Sequence, residues 1–439
     1  MPDDNSQTAT VKIVAIDHEG RGIAYDADKT LFIENALLGE ELTYKIFKKK
    51  KKIFFAKSVD IIKPSSSRIN PICENYGNCG GCSMQHYEAT TQLAYKQKAF
   101  EETLKHVGKV KPENLMSPIA GPIKAYRHKA RFRAKYVQKK ERVLIGFNEK
   151  LSHFLMDMAS CEVIPKKISQ LLRPLQDCIT SLSIKNQMPQ IEYASNQVRH
   201  LLVLRILGAL SAKDVKILKE FQEKYDIEFW VQTKGIDTVR PLLDKMIDYI
   251  DYLNKEFNLV YRFHPTGFTQ INPFINEVLI RKAMHLLDPK KNDTIFDFFC
   301  GLGNFTLPIA TYGSKVTGFE GSLPLVNAAK DNAIRNQLDA KFEQIDLFKI
   351  EFNEMQKYGH ADKWLIDPPR DGALELVKSL DKKRPKSIVY ISCNPATLAR
   401  DAEVLINEKG YCFVQSGILN MFPHTSHIES ISLFKAYEG

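Results

Sequence analysis

The chain has 439 residues and a net charge of +10, with 44% hydrophobic and 26% charged residues. These values are typical of a soluble globular protein of two or three domains, and the positive charge suits a polyanionic partner. The first residues resemble no signal peptide and no apolar run approaches the length of a membrane span, so we expect a cytoplasmic protein without a membrane partner. Eight cysteines in such a chain argue against a disulfide scaffold and favour metal-binding, catalytic or buried roles.

Residues 1–63 are predicted to form a small β-barrel of the oligonucleotide-binding kind. Short strands punctuated by glycines are predicted at 10–16, 22–24, 30–33, 41–47 and 53–62. A lysine run with Phe47, Phe54 and Phe55 interleaved suits RNA phosphates and stacked bases. A solvated hairpin with core phenylalanines explains the same pattern, so both interpretations remain open. The run comprises Lys45, Lys48, Lys49, Lys50, Lys51, Lys52, Lys57 and Lys63.

Three cysteines follow in close spacing, Cys73, Cys79 and Cys82, with glycines between them. Three thiols within ten residues favour a metal or cluster site over free cysteines, and such a site requires a fourth ligand. Cys161 and Cys178 are the nearest candidates in the chain. The spacing alone does not distinguish zinc from an iron–sulfur cluster.

Residues 64–264 are predicted to form a central α+β domain containing a basic strand. Between residues 124 and 136, cations alternate with apolar residues, which places a basic stripe on one face of a strand. RNA phosphate is the natural partner of that stripe, and a solvated strand face is the alternative. A helix is predicted at 168–182, which Pro174 should kink or break. The cations are Arg127, Lys129, Arg131, Arg133 and Lys135.

Residues 265–439 are predicted to form a doubly wound, mostly parallel α/β sheet. Five apolar strands end in special residues about one βα unit apart, so these residues meet at one sheet edge. Gly301 and Gly303 allow a ligand to approach the backbone, and Glu320 is suited to ribose hydroxyls. The chain lacks G-x-G-x-x-G, which disfavours a dinucleotide and favours S-adenosylmethionine. The strand ends are Phe299–Cys300, Glu320, Asp346, Asp367 and Cys393.

The fourth and fifth strand ends indicate methylation at carbon. Asp367-Pro368-Pro369 resembles the motif of base methyltransferases, but Arg370 replaces the aromatic residue of the enzymes that methylate amines. Pyrimidine C5 becomes nucleophilic after a thiolate adds to C6, and a base then removes the C5 proton. Cys393 is the candidate thiolate, with Glu429 or a nearby histidine as the base. A structural cysteine and an exposed carboxylate are the alternatives, and a non-catalytic RNA-binding assembly factor is the alternative function.

Three motifs carry a resemblance to a known family. They are Asp-Phe-Phe-Cys-Gly-Leu-Gly-Asn-Phe at 297–305, Ser-Cys-Asn-Pro-Ala-Thr-Leu-Ala-Arg-Asp at 392–401 and Phe-Pro-His-Thr-Ser-His-Ile-Glu-Ser at 422–430. With the cysteine spacing, they make the chain resemble the RNA uracil-5 methyltransferases that use S-adenosylmethionine. The resemblance implies a Rossmann-like methyltransferase domain, a TRAM domain at 10–62, and residues 93–123 packed on the catalytic domain.

The resemblance also implies roles for individual residues. Cys393 would be the nucleophile and Glu429 the proton acceptor, while Cys161 would complete a [4Fe-4S] site with the three clustered cysteines. Phe268 and the basic stripe would contact RNA. The expected partner is 23S ribosomal RNA at uridine 1939, with another ribosomal or transfer RNA uridine as the alternative, and the protein is expected to be a monomer. The implied S-adenosylmethionine contacts are Gln270, Phe299, Asn304, Glu320, Asp346 and Asp367.

Overall fold

Six strands near the start of the chain form one sheet with its own core. The computed structural model describes residues 9–243, 247–350, 352–381 and 384–437. The sheet order is β1-β5-β6-β4-β3-β2, and segment 10–16 pairs with β5 at one end and with β3 at the other, so this segment joins both edges. The strands are β1 (Thr10–Lys12), β2 (Ala15–Ile16), β3 (Gly22–Asp26), β4 (Lys29–Glu34), β5 (Glu41–Lys50) and β6 (Ile53–Lys63).

A helical segment then crosses to the C-terminal part of the chain. It consists of α1 (Ala89–Thr103), a π-helical turn (Leu104–Gly108) and the short strand β7 (Asn114–Leu115). Gly108 packs so closely on Ala399 that a Cβ would come within 2.2 Å of its carbonyl oxygen. β7 extends the C-terminal sheet as an edge strand. This part of the chain therefore contacts the predicted catalytic domain, while the domain boundaries themselves stay a prediction.

A second six-stranded sheet, ordered β13-β12-β11-β10-β8-β9, forms the middle of the chain. Its elements are β8 (Lys129–Val137), β9 (Arg142–Gly146), α2 (Lys166–Thr180), β10 (Gln190–Ser195), β11 (His200–Arg205), α3 (Ala212–Tyr225), β12 (Glu228–Gln232) and β13 (Arg240–Pro241). Within β8, Ala130, Phe132 and Ala134 are buried while Arg131 and Arg133 are exposed, as the alternation predicts. The core of the sheet is formed by one hydrophobic cluster that includes α2.

Two details of the sequence prediction for this region need correction. Of the predicted kink or break at Pro174, the break is wrong, since α2 continues through this residue, and burial of its apolar face against the sheet outweighs one lost backbone hydrogen bond. The basic strand begins at Lys129 and not at residue 124, so Arg127 precedes the strand and does not belong to its stripe. Ala125, two residues before Arg127, has a positive φ of 52°, which is incompatible with extended strand geometry.

The C-terminal sheet has eight strands in the order β18-β17-β16-β19-β20-β22-β21-β7. Strands β16 to β20 are parallel, and β22 lies antiparallel between β20 and β21. The strand order reverses between β16 and β19, where such sheets bind ligands. The elements are β14 (Ile250–Asn254), β15 (Leu259–Phe263), α4 (Pro273–Leu287), β16 (Thr294–Phe298), α5 (Thr306–Ala310), β17 (Lys315–Glu320), α6 (Leu323–Arg335), β18 (Ala340–Gln344), α7 (Phe352–Gln356), β19 (Lys363–Ile366), α8 (Leu374–Lys378), β20 (Ser387–Ser392), α9 (Pro395–Asn407), β21 (Tyr411–Leu419) and β22 (Glu429–Ala436).

The hairpin of β14 and β15 packs on this C-terminal sheet. The amide oxygens of Asn332 and Asn336 on α6 accept hydrogen bonds of 2.8 Å from the backbone N–H groups of Arg262 and Val260. A domain boundary after residue 264 therefore separates residues that pack together. Across the described ranges, no helix is both long and apolar enough to cross a membrane.

Candidate active site

Cys393 and Glu429 lie opposite one another at the end of two paired strands. The last aligned pair of β20 and β22 is Ser392 with Ser430, so the next pair in register is Cys393 with Glu429. Pro395 begins α9, and the side chain of Asn394 accepts a hydrogen bond of 3.1 Å from the N–H of Ala396, which ends the strand abruptly. The register therefore brings together a thiol and a carboxyl that are 36 residues apart in sequence.

The acidic groups of this site are protonated more readily than usual. Burial raises the pKa of Cys393 to about 11, with Glu429 and Asp367 adding to the shift and Arg370 opposing it. Burial, followed by the charge of Asp367, raises the pKa of Glu429 well above its usual range. Burial alone raises the pKa of Asp367 to about 7. A cationic ligand would favour the ionised form of all three groups, so the site suits a positively charged reactant.

A cavity of about 560 Å³ adjoins these groups, and four of the six predicted cofactor residues line it. Glu320 and Asp346 are not among the lining residues. Glu320 accepts hydrogen bonds from the N–H groups of Gly301 (3.1 Å) and Ser322 (2.9 Å). Asp346 is half exposed and pairs with Lys349 at 3.3 Å. The four lining residues are Gln270, Phe299, Asn304 and Asp367.

The backbone after β16 leaves space for a ligand. Gly301 has a φ of +56°, and a Cβ built there would meet no heavy atom within 4 Å. Phe299 also has a positive φ, 62°, which is unfavourable for a side chain of this size. Backbone strain of this kind is concentrated at functional sites, in agreement with the place of Phe299 in the cavity wall.

The structure adds two residues to the site that the sequence did not indicate, and it shows the environment of Asp297, the first residue of the motif at 297–305. Asn276 on α4 exchanges two amide hydrogen bonds of 3.1 Å with Asn304, and Tyr252 from the hairpin lines the same cavity. Asp297 is fully buried, its pKa is raised to about 8 by burial, and its Oδ1 has no hydrogen-bond partner within the described part of the chain. An acid inside the apolar run of β16 was the only one of these signals visible in the sequence.

The structure narrows the choice between Glu429 and the nearby histidines as the base that would remove the C5 proton. The Nε2 of His424 lies 2.9 Å from the carbonyl of Ile123 and so carries the proton, while Nδ1 accepts from the amide of Gln92 at 3.1 Å. Both ring nitrogens of His424 are therefore occupied, and the histidine has no free lone pair. The ring of His427 lies 3.3 Å from the guanidinium of Arg370, and burial followed by this cation lowers its pKa.

All four predicted ligand cysteines line a second cavity of about 240 Å³, together with Arg127. Cys178 lies in α2 within the core of the central sheet and does not reach this cavity. Burial raises the pKa of Cys82 to about 11 and that of Cys161 to about 12. Among the described residues, no three His, Cys, Asp or Glu side chains converge tightly enough to hold a single metal ion. The cysteines are Cys73, Cys79, Cys82 and Cys161.

The predicted RNA-contacting residues are distributed over several environments. Arg131 pairs with Glu192 at 3.2 Å, and Arg133 donates to the side-chain oxygen of Asn148 at 2.9 Å. Burial lowers the pKa of Lys129 to about 8, and its amino group has no hydrogen-bond partner within the described ranges. Phe268, by contrast, is 67% exposed and lines the cavity of about 560 Å³.

Comparison with known proteins assigns the chain to a family. The model of the tRNA (Uracil-5-)-methyltransferase family matches residues 88–436, and the chain belongs to this family. Among individual relatives, it is 46% identical to the 23S rRNA (uracil(1939)-C(5))-methyltransferase RlmD of Nitrosospira multiformis, over 98% of both chains. It is 47% identical to the protein of the same name from Thiobacillus denitrificans, over 97% of this chain and 99% of the relative.

A solved structure with the same fold is the tRNA (uracil-54, C5)-methyltransferase of Pyrococcus abyssi in complex with S-adenosyl-L-homocysteine. It aligns with 97% of this chain and 100% of its own length, at a TM-score of 0.75 and 23% identity. The α/β methyltransferase fold expected from the sequence is therefore confirmed.

Proposed function

We propose that the protein transfers a methyl group from S-adenosylmethionine to C5 of uridine 1939 in 23S ribosomal RNA. The observation that carries this proposal is the alignment of Cys393 with Glu429 at the ends of β20 and β22, next to Asp367 at the end of β19. The names of the relatives, which match along almost their whole length, support the ribosomal substrate. A protein that only binds RNA has no physical need for this pair in a buried site.

The residues of the chain divide the chemistry between them. The sulfur of Cys393 adds to C6 of the uracil, and the resulting enolate places negative charge on C5. S-adenosylmethionine supplies the electrophilic methyl group that C5 takes. The carboxylate of Glu429 then takes the C5 proton, the C5–C6 double bond re-forms, and the C6–sulfur bond breaks to release Cys393 as a thiolate. The cavity lined by Gln270, Asn304 and Asp367 would hold the methyl donor.

The test is a methylation assay with radiolabelled S-adenosylmethionine and unmodified 23S or transfer RNA. The wild type should label a single 23S uridine at C5, and Cys393→Ala should abolish labelling. Cys412→Ala is the matched control, because Cys412 lies at the far end of the same sheet, opposite Lys435. Labelling of transfer RNA alone would contradict the proposed substrate, and full turnover by Cys393→Ala would remove the proposed nucleophile.

We further infer that Cys73, Cys79, Cys82 and Cys161 hold a [4Fe-4S] cluster. Four thiols around one cavity match the donor set of such a cluster, and a cavity of about 240 Å³ exceeds what a single ion needs. The cluster would supply a covalent brace between the cysteine loop and the central domain.

Metal analysis tests the cluster directly. The purified protein should be brown and contain iron and acid-labile sulfide, and Cys161→Ser should lose both. Cys178→Ser is the matched control, since Cys178 is buried in α2 away from the cavity. A colourless wild-type protein containing zinc would replace the iron–sulfur assignment with a zinc site.

We also propose that the N-terminal domain, predicted at 1–63 and described from residue 9 onward, forms a TRAM-type barrel that binds RNA. Segment 10–16, which joins both edges of the sheet, supports a closed barrel. On its β5–β6 hairpin, the amino groups of Lys48 and Lys49 lie over the rings of Phe55 and Phe54, at 5.8 and 5.2 Å from the ring centroids. Exposed cations interleaved with aromatic rings suit a backbone with unstacked bases.

A further inference from the structure

The loop that leads to Glu429 is held more tightly than its position between two strands requires. Residues 420–428 connect β21 with β22 and end directly before the carboxylate. Asn420, Met421 and His424 are at most 4% exposed, and His424 has a positive φ of 64°. A buried loop must have its polar groups satisfied by other parts of the chain, so their partners show what determines its position.

His424 is the junction between this loop and three other parts of the chain. Its carbonyl accepts hydrogen bonds from the N–H groups of Ser83 (2.9 Å) and Met84 (3.0 Å). Its own N–H donates to the amide oxygen of Gln92 on α1 at 3.0 Å, and its Nδ1 accepts from the amide nitrogen of Gln92. Its Nε2 donates to the carbonyl of Ile123.

The same segments hold the residues around His424. The amino group of Lys96, also on α1, donates to the side chain of Asn420 and to the carbonyl of Phe422, both at 2.9 Å. The hydroxyl of Tyr126 donates to the carbonyl of Pro423 at 2.8 Å. The acceptors in these bonds are amide and carbonyl oxygens and not carboxylates. The bonds therefore depend on their geometry and on their burial.

The cysteine site is directly connected to this arrangement. Ser83, whose N–H binds the carbonyl of His424, is the residue after Cys82, which lines the four-cysteine cavity. We propose that the four-cysteine site positions the proton-accepting carboxylate, with His424 as the positioning residue that joins the cysteine loop and α1 to the catalytic loop.

The inference rests on the proposed function, and it predicts which step of the reaction is sensitive. Cys393 is anchored by β20 and α9, so its addition to the uracil does not need the 420–428 loop. Glu429 is the first residue of β22, where it pairs with Leu419 of β21 and directly follows the 420–428 loop, so the loop acts on the end of that pairing. Misplacing a catalytic group by about 1 Å costs up to about 100-fold in rate. Weakening the junction should therefore slow proton removal more than adduct formation.

The first experiment separates these two steps. Gln92→Leu removes both side-chain hydrogen bonds to His424 and one to the carbonyl of Tyr87, while Gln97→Leu makes the same change on the same helix and removes a bond to Glu101. At the same S-adenosylmethionine and RNA concentrations as the wild type, Gln92→Leu should accumulate the covalent RNA adduct. It should release this adduct about 10-fold to 100-fold more slowly than the wild type does. Equal release rates in both variants, or equal slowing of formation and release, would overturn the proposal.

The second experiment needs no substitution and no activity. Hydrogen–deuterium exchange is measured in the wild type before and after chelation removes its bound metal. The amides of 420–428 should exchange faster in the stripped protein, while those of β21 and β22 should change little. Unchanged exchange in 420–428 would overturn the proposal. If the wild type methylates no RNA, the proposed function fails, and this exchange measurement still decides the coupling.

Discussion

Three acidic groups share one buried site, and their protonation determines when the site is reactive. In the free protein, the thiol of Cys393 is largely neutral near pH 7, because burial raises its pKa to about 11, and burial also raises the pKa of Glu429 well above its usual range. Asp367, with a pKa of about 7, is partly ionised there. The free site is therefore unreactive toward stray electrophiles, and it becomes nucleophilic only when its environment changes.

The protonation of Cys393 can be measured by alkylation. Iodoacetamide modification of Cys393 in the ligand-free protein should be slow at neutral pH, because only the thiolate reacts. Below the pKa of about 11, the rate should rise about tenfold per pH unit. Mass spectrometry of the Cys393 peptide gives the rate at each pH. A plateau at about pH 8.5, where an ordinary thiol is ionised, would contradict the raised pKa.

Glu429→Gln tests the role of the carboxyl in the second half of the reaction. The substitution preserves shape but removes the base, so methyl transfer should proceed and release should slow by about 100-fold or more. A denaturing gel should then show RNA covalently bound to the protein. Normal release by the variant would assign proton removal to another group, of which His427 is the nearest candidate.

At the scale of single elements, β8 presents its cations in unequal ways. Arg131 is already paired with Glu192, and the amino group of Lys129 is buried. Arg133 is exposed and contacts only the neutral groups of Asn148 and His153, so it keeps its full charge for an anionic ligand. The basic stripe predicted from the sequence therefore offers an anionic ligand fewer than five available cations.

Arg133→Gln should therefore weaken RNA binding and reduce the slope of log affinity against log salt by about one. Filter binding or fluorescence anisotropy over a range of salt concentrations measures both values. Lys216→Gln on α3 is the control, because Lys216 is 77% exposed and pairs only with Glu220. An unchanged slope in Arg133→Gln would place the RNA elsewhere.

The sequence predicted the secondary-structure elements better than it predicted the contacts between those elements. The strand ends at Asp367 and Cys393 follow from apolar runs closed by proline, and the cysteine spacing pointed to one site. The pairing of Asn276 with Asn304 and the position of Tyr252 depend on how a hairpin and a helix pack on the sheet. No local pattern encodes such packing, which explains why these residues were missed.

At the scale of the whole molecule, a buried ion pair connects the N-terminal sheet to the rest of the chain. Glu40 is fully buried and forms a bidentate pair with Arg68, at 2.6 and 2.7 Å. Its carboxylate also accepts from the N–H groups of Leu37 and Ser65. The chain thus leaves the first sheet at a point fixed by four hydrogen bonds to one side chain.

Arg68→Met should leave the charge of Glu40 buried without its partner, which costs about 3–5 kcal/mol in such pairs. Thermal or urea unfolding followed by circular dichroism should show an earlier transition for the variant. The double variant Glu40→Gln with Arg68→Met should recover part of the loss, because no uncompensated charge remains. Equal stability of the single variant and the wild type would contradict this account.

The antiparallel insertion of β22 next to β20 has one further consequence. Successive side chains of a strand point to opposite faces, so sliding β22 by a single residue would turn Glu429 away from Cys393 and exchange every ladder partner. The same slip would move the buried Ile431 and Leu433 to the opposite face of the sheet, so core packing and the active site depend on one register. Residues inserted into or deleted from segment 420–428 must therefore be absorbed by the loop itself, and its length is a determinant of activity as much as its sequence is.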